Sequence, residues 1–227
     1  MPRISVVSII DAVTDDLRGR VLAGELEPGT PLVEVEIAEE YEVARPTAKA
    51  AIENLVRERL LERSAHKTAR VVRLTPEDAR DIYRTRQIVE SEVLRTLARE
   101  QRVPEAARAA NRDIAALVDA SPREIVEPDM RFHRSLIDAL GSERTSRLYG
   151  ALASEVVFCM SQIQGAALLS TEVIAAEHEQ LLRFIEQGDA DAAAALLATH
   201  IGRAREKLVE RLGGEPGPEA FAPALEA

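Results

Sequence analysis

Apolar residues in the first third of the chain are spaced as on short amphipathic helices. A first helix is predicted over 5–23 by four apolar residues that lie three or four positions apart, Ile10, Val13, Leu17 and Val21. Two prolines and a glycine within 26–32 then predict a turn. Later apolar spacing predicts helices over 35–41 and 45–58 and β-like stretches over 60–63 and 69–73.

The order of these elements is typical of a winged helix-turn-helix. In that fold the third helix enters the major groove of DNA and the hairpin lies over the backbone. Pro46 suits the first turn of the third helix, because its missing N–H would have no partner there anyway. We therefore assign residues 1–74 to a DNA-binding domain.

A second domain is predicted to begin at Thr75, a potential N-cap that is followed by Pro76 and acidic residues. Short connections between the later helical patterns favour an antiparallel six-helix bundle over 75–213. The Pro-, Gly- and Ala-rich segment 214–227 predicts a disordered tail. The predicted helices cover 76–101, 104–119, 122–140, 144–164, 171–187 and 189–212.

Composition supports a mainly α fold for both domains. Aromatic residues make up 3% of the chain and Trp is absent, so the core must be aliphatic. The single cysteine, Cys159, cannot form an intramolecular disulfide, which fits a reducing compartment. No stretch approaches the roughly 20 apolar residues of a membrane span. We therefore expect a cytoplasmic protein with no membrane partner.

The charge of the chain changes sign locally. The whole chain has a formal net charge of -10, but residues 43–73 contain eight Lys or Arg against three Asp or Glu, a net charge of +5. A basic segment in an acidic chain is expected where one face meets DNA. Charge alone leaves open the alternative of a solvated helix face.

Asp129 and His133 are four residues apart, which places both side chains on one helix face within reach of a single ion. Two further histidines, His178 and His200, lie on later predicted helices. A helical histidine on its own is more often a core residue than a ligand. Spacing alone therefore leaves both interpretations open.

Three stretches resemble the GntR family of bacterial transcription factors. Residues 24–32, GELEPGTPL, are similar to the family's PG-x-x-L turn, and residues 37–49, IAEEYEVARPTAK, are similar to its recognition segment. The second domain resembles the FCD sensor of the FadR branch, and six predicted helices point to its VanR-like subgroup. The resemblance covers about residues 9–212.

The resemblance implies DNA contacts for five residues, and the basic character of Arg57 adds a sixth. Arg45 and Lys49 match the basic positions of the recognition helix, Thr47 matches a backbone contact, and Arg57 is placed near phosphate, with helix-end solvation as its alternative. Lys67 and Thr68 lie in the wing. Three departures from the family pattern, Glu42 for Gly, Ala44 for Ser and Thr68 for Gly, predict weak or unusual operator recognition.

The resemblance also implies a metal site in the sensor. His178 and His200 match the family's remaining ligand positions, beside Asp129 and His133. Three imidazoles and a carboxylate suit Zn²⁺ and would accept Ni²⁺, Mn²⁺ or Fe²⁺. Arg86 resembles the residue that pairs with a carboxylate effector, although an ion pair with Glu90 at i+4 is the alternative. Ser142 stands where the family has Asn.

These features predict a transcription regulator, by default a repressor, and not an enzyme. We expect a homodimer formed by the sensor domains that binds a near-palindromic operator and is controlled by a small carboxylate. One alternative is a metal-dependent hydrolase in a helical bundle, but position 182 is Leu where an H-E-x-x-H motif needs His. Another is an adaptor whose winged helix binds protein.

Overall fold

The chain divides into two units, Met1–Leu74 and Thr75–Ala227. The computed structural model describes residues 8–64, 67–117, 122–161, 170–215 and 217. The described part is mainly helical, with a small sheet in the first unit. The predicted fold class, a winged helix-turn-helix followed by a helical bundle, is confirmed.

The first unit packs three helices around an aliphatic core. Its elements are α1 Ile9–Leu22, β1 Pro31–Leu32, α2 Glu34–Glu40, α3 Arg45–Arg57, β2 Leu61–Glu62 and β3 Ala69–Val71. The strands form an antiparallel sheet in the order β1-β3-β2, with Leu61 opposite Val71 and Leu32 opposite Ala69. Strand β1 was not predicted, since two residues are too short to show a period.

Glu42 keeps the geometry of the turn between α2 and α3 without the glycine usual there. Its φ is 52°, in the left-handed region, and the Val43 N–H donates to the Ala38 carbonyl at 2.9 Å. This six-to-one hydrogen bond is the one that normally ends a helix with glycine. Ala44, two residues after Glu42, is the N-cap of α3 and makes no side-chain capping hydrogen bond. Both departures therefore lie at the start of the recognition helix.

In its described residues, the second unit is a six-helix bundle. Its first helix begins with a complete capping box, in which Thr75 and Asp78 satisfy each other's backbone N–H groups. The helices are α4 Pro76–Arg99, α5 Glu105–Ala115, α6 Pro122–Ala139, α7 Glu143–Ser161, α8 Thr171–Gln187 and α9 Ala190–Arg211. Helix α4 packs against α6, α7, α8 and α9, so it is central to the unit.

Only three residues of the predicted tail 214–227 are described. The Glu215 carbonyl accepts a hydrogen bond from Arg80 Nη2 at 2.7 Å, and the Gly217 N–H donates to Glu206. Residues 216 and 218–227 lie outside the described part of the chain, as do the predicted ends of two helices at 118–119 and 162–164.

None of the helices in the described ranges combines the length and the apolar character that crossing a membrane would require.

Replacing Glu42 by glycine is expected to stabilise the protein. A non-glycine residue in the left-handed region costs about 1 kcal/mol, so Glu42→Gly should raise the free energy of unfolding by that order. Urea denaturation of the full chain measures the change. The matched control is Glu39→Gly, which places glycine inside α2 and should lower the free energy of unfolding by about 0.5–1 kcal/mol. Equal signs for the two variants would contradict the strain at Glu42.

Candidate metal centre and DNA interface

Four predicted ligand residues converge inside the second unit. Asp129 and His133 come from α6, His178 from α8 and His200 from α9. One ligand atom of each lies within 4.8 Å of the others, and all four side chains are buried. Asp129 Oδ1 is 3.5 Å from His178 Nε2 and 3.9 Å from His133 Nε2. The structure thus brings together the whole candidate ligand set.

Two glutamates orient two of the imidazoles. Glu90 Oε2 is 2.7 Å from His133 Nδ1, and Glu177 Oε2 is 2.8 Å from His200 Nδ1. A carboxylate can only accept, so Nδ1 carries the proton in each ring and Nε2 keeps its lone pair. His133 Nε2 is buried and has no hydrogen-bond partner among the described residues. His133 Nε2 therefore has a free lone pair, as a metal ligand requires.

His178 is held differently. Its ring stacks on Phe132 with a centroid distance of 3.7 Å and an angle of 4° between the planes. Neither ring nitrogen has a hydrogen-bond partner within the described part of the chain. Packing, and not a carboxylate, therefore sets the orientation of this imidazole.

The three imidazoles are suited to bind a cation. Burial lowers the pKa of His133, of His178 and of His200 below the usual value, and for His178 the neighbouring histidines lower it further. Neutral imidazole is the form that coordinates metal. Three neutral imidazoles, a carboxylate and unpartnered buried nitrogens fit a divalent ion of the zinc type.

Arg86 forms the ion pair that the i+4 spacing allowed. Its Nε donates to Glu90 Oε1 at 2.7 Å, and Tyr149 Oη donates to the same oxygen at 2.6 Å. Burial by itself would raise the pKa of Glu90, but Arg86 and His133 lower this pKa below its ordinary value, so the carboxylate stays charged. Arg86 Nη2 remains buried and without a partner in the described structure. The Nη2 group of Arg86 is therefore free to donate a hydrogen bond to a bound ligand.

Sequence reasoning missed four residues of this cluster as site residues: Glu177, Tyr83, Tyr149 and Arg203. Arg203 contacts Glu177 through Nη2, and Tyr83 lies beside Arg86, whose Cζ is 5.8 Å from the tyrosine ring centroid. Glu90 was considered only as a partner of Arg86. No local spacing signals these contacts, since Glu90 and His133 are 43 positions apart and Glu177 and His200 are 23 apart.

The first unit presents basic side chains at the start of α3. Arg45 is 68% exposed, Lys49 is exposed and Thr47 is half-buried, whereas four apolar residues of the same helix are buried in the core. Arg57 at the helix end is exposed and donates to Asn54. Lys67 and Thr68 are exposed just before β3. This pattern leaves the predicted DNA-contacting side chains accessible.

Two glutamates pair with arginines of the first unit, one arginine exposed and one mostly buried. Glu34 lies 3.4 Å from Arg45 Nε and 3.7 Å from Arg63 Nη2, and Glu53 lies 2.7 Å from Arg63 Nη1. Arg63 is mostly buried by these contacts. It therefore belongs to the internal packing between α3 and the hairpin.

A winged helix-turn-helix joined to a helical bundle defines the class of DNA-binding transcription regulators. Residues 9–71 match the model of bacterial regulatory proteins of the gntR family, and residues 81–203 match the FCD domain. The chain belongs to the gntR family of bacterial regulatory proteins and carries an FCD domain. Proteins of this family regulate transcription and are not enzymes, as predicted.

Individual relatives agree with this assignment. The HTH-type transcriptional regulator BphR of Paraburkholderia xenovorans LB400, described as uncharacterized, is 27% identical over 161 residues, which are 67% of this chain and 66% of that protein. The match therefore spans slightly less than two thirds of that relative.

Two solved structures share the fold. A protein described as a transcriptional regulator GntR from Rhodococcus sp. RHA1 has a TM-score of 0.67 at 22% identity, over 88% of this chain and 97% of that chain. McbR/YncC of E. coli has a TM-score of 0.69 at 17% identity, over 91% of this chain and 99% of that chain.

Removing the Glu90 carboxylate, which accepts the hydrogen bond from His133 Nδ1, is expected to weaken metal binding. Loss of such an outer hydrogen bond typically costs 10–100-fold in affinity, and we expect this loss for Glu90→Gln, measured by competition with a chromophoric chelator. Glu92→Gln, an exposed position on the same helix, is the matched control and should leave the affinity unchanged. Unaltered metal affinity in Glu90→Gln would contradict the orienting role of Glu90.

Proposed function

We propose that the protein is a repressor whose operator binding is controlled by a small carboxylate at a divalent metal ion. The ion would be held by Asp129, His133, His178 and His200. The observation that carries this proposal is the convergence of these four buried side chains with imidazole nitrogens left free for a metal. A buried cluster of this kind has no role in reading DNA, which the first unit performs.

Zn²⁺ is the preferred ion for three imidazoles and one carboxylate, and Ni²⁺, Mn²⁺ or Fe²⁺ would also suit these donors. When bound, the ion supplies a positive Lewis-acid centre for an anionic oxygen. Arg86 is proposed to bind the effector through Nη2, while its Nε holds Glu90. The residues of the site thus divide between holding the ion and holding the effector.

On DNA, Arg45 is proposed to contact a base edge in the major groove, and Lys49 a base edge or a phosphate. Thr47 and Arg57 would contact the backbone, and Lys67 and Thr68 would do so from the wing. The exposure of these side chains on one basic segment supports the assignment. Arg45 can offer its guanidinium edge to guanine while Nε remains near Glu34.

We further propose a homodimer formed by the sensor domains, which would address the two halves of a near-palindromic operator. Effector binding would shift an equilibrium between forms of the dimer that bind the operator and forms that do not. The six helices of the described sensor unit support a place in the VanR-like subgroup.

Arg45→Ala is expected to remove most of the sequence preference. The loss of one bidentate base contact costs about 1–3 kcal/mol, so affinity for DNA selected by the full chain from a random pool should fall about 10–100-fold. Gel-shift titration measures this affinity, and metal content should not change. Arg84→Ala, an exposed arginine of the sensor unit, is the control and should bind DNA normally.

Salt dependence separates DNA binding from the adaptor alternative. Release of counterions makes the affinity for DNA fall steeply with salt concentration. A flat response in the wild-type protein would favour a protein-binding winged helix. An equal loss of affinity on selected and unselected DNA in Arg45→Ala would contradict base reading by Arg45.

His178→Ala is expected to lower metal content and to abolish release from selected DNA by acetate, lactate or succinate. The physical reason is the loss of one of four ligands at a buried site. Elemental analysis gives the metal ratio, and gel shifts give the release. Gln187→Ala, exposed at the end of α8, should behave as wild type. A full metal complement in a folded His178→Ala protein would overturn the proposed ligand set.

A further inference from the structure

The charged side chains buried around the candidate metal ligands do not cancel. Three carboxylates, Glu90, Asp129 and Glu177, face two guanidinium groups, Arg86 and Arg203, and each of the five residues is at most 7% exposed. The imidazoles count as neutral, because His133 and His200 each use the Nδ1 proton in a hydrogen bond to a carboxylate and a metal ligand must keep its other ring nitrogen unprotonated. The same requirement makes His178 neutral as a ligand. The described cluster therefore has a net charge of one negative unit.

These charges form one connected group. Arg86 pairs with Glu90, which holds His133, and Arg203 pairs with Glu177, which holds His200. The centroids of the His133 and His200 rings are 5.4 Å apart, so the two chains of contacts meet at the candidate ion position.

Other buried ionisable groups of the described sensor unit do not change this sum. Glu206 is buried but lies 2.6 Å from Arg205 Nε, so the two charges cancel. Burial raises the pKa of Tyr83, of Tyr149 and of Cys159, so the two phenols and the thiol stay neutral.

We propose that the sensor site selects a monoanion, a small monocarboxylate, over di- and tricarboxylates. This inference rests on the proposed metal and effector function of the same site. A divalent ion would change the net charge of the cluster from one negative to one positive unit. One monoanion then brings the buried group to neutrality, whereas a dianion leaves an uncompensated negative charge, which is strongly unfavourable away from water.

Two unpartnered donors suit a single carboxylate. Arg86 Nη2 and Tyr83 Oη are both buried and have no hydrogen-bond partner among the described residues, and the guanidinium lies beside the Tyr83 ring. Tyr83 is therefore assigned as a second effector-binding residue. Arg203 also has unpartnered nitrogens, but its charge is already counted, so a second carboxylate beside it would still leave the group negative.

The test compares ligands of equal length that differ by one charge. Full-length protein loaded with Zn²⁺ is titrated in a calorimeter with malonate against malonamate, with succinate against succinamate, and with acetate. In each pair that binds, the monoanionic amide is expected to bind at least tenfold more tightly than the corresponding dianion. A dianion that binds as tightly or more tightly overturns the charge inference alone. Binding of none of the five by the Zn²⁺-loaded protein overturns the proposed effector function as well.

Two variants that change the charge of the buried group in opposite directions make the test independent of ligand shape. Glu177→Gln removes one negative charge, so the ratio of monoanion to dianion affinity should shift at least tenfold towards the dianion. Arg203→Gln removes one positive charge and should weaken the monoanion at least tenfold. Both are measured at verified Zn²⁺ loading. Equal weakening of both ligands in Glu177→Gln would mean that Glu177 only positions His200, and this result would overturn the proposal.

Two further variants complete the design, one that leaves the charge unchanged and one that changes it at the surface. Tyr83→Phe removes a donor without changing charge, so it should weaken both members of a pair alike. Glu179→Gln, on the same helix as Glu177 but paired with Arg183 at the surface, should leave the selectivity unchanged. A selectivity shift in Glu179→Gln equal to that in Glu177→Gln would show that overall charge, and not the buried group, sets the preference.

Discussion

The hydrogen bonds from His133 and His200 to buried glutamates are the constraint on which the sensor unit depends. Each carboxylate fixes the proton on Nδ1 and turns Nε2 towards the centre of the bundle. A buried carboxylate would be costly alone, and each is compensated by an arginine, Arg86 or Arg203. In each half of the centre the contacts therefore run from a guanidinium to a carboxylate and from that carboxylate to an imidazole.

These contacts connect the candidate metal centre to four helices of the bundle. Helix α4 supplies Arg86 and Glu90 one turn apart, and α9 supplies His200 and Arg203 at the i+3 spacing. Adjacent residues of α8 serve different neighbours, because Glu177 reaches α9 while His178 stacks on Phe132 of α6. Four helices thus share one polar cluster, and a change in its charge acts on all of them. Helix α4 is also the first element after the DNA-binding unit in the chain.

The DNA-binding unit shows how a fold tolerates departures from a family pattern. Glu42 adopts the left-handed conformation that glycine favours, and the hydrogen bond from Val43 to Ala38 is kept. The turn geometry is therefore retained at a cost in backbone strain. Ala44 caps α3 without a side-chain hydrogen bond, so the start of the recognition helix lacks a stabilising contact there. With these two residues in place, the Arg45 side chain is exposed beside Glu34.

Local spacing determined the helices and the Asp129–His133 pair, because a helical period and an i+4 face are properties of neighbouring residues. The basic segment and the start of α4 at its capping box were equally visible in the sequence. Resemblance added His178 and His200, which spacing could not connect to α6. The tertiary structure alone decided that Glu90 and Glu177 hold the imidazoles and that Tyr83 and Arg203 join them. These contacts link helices far apart in the chain, and their geometry follows from how the helices pack.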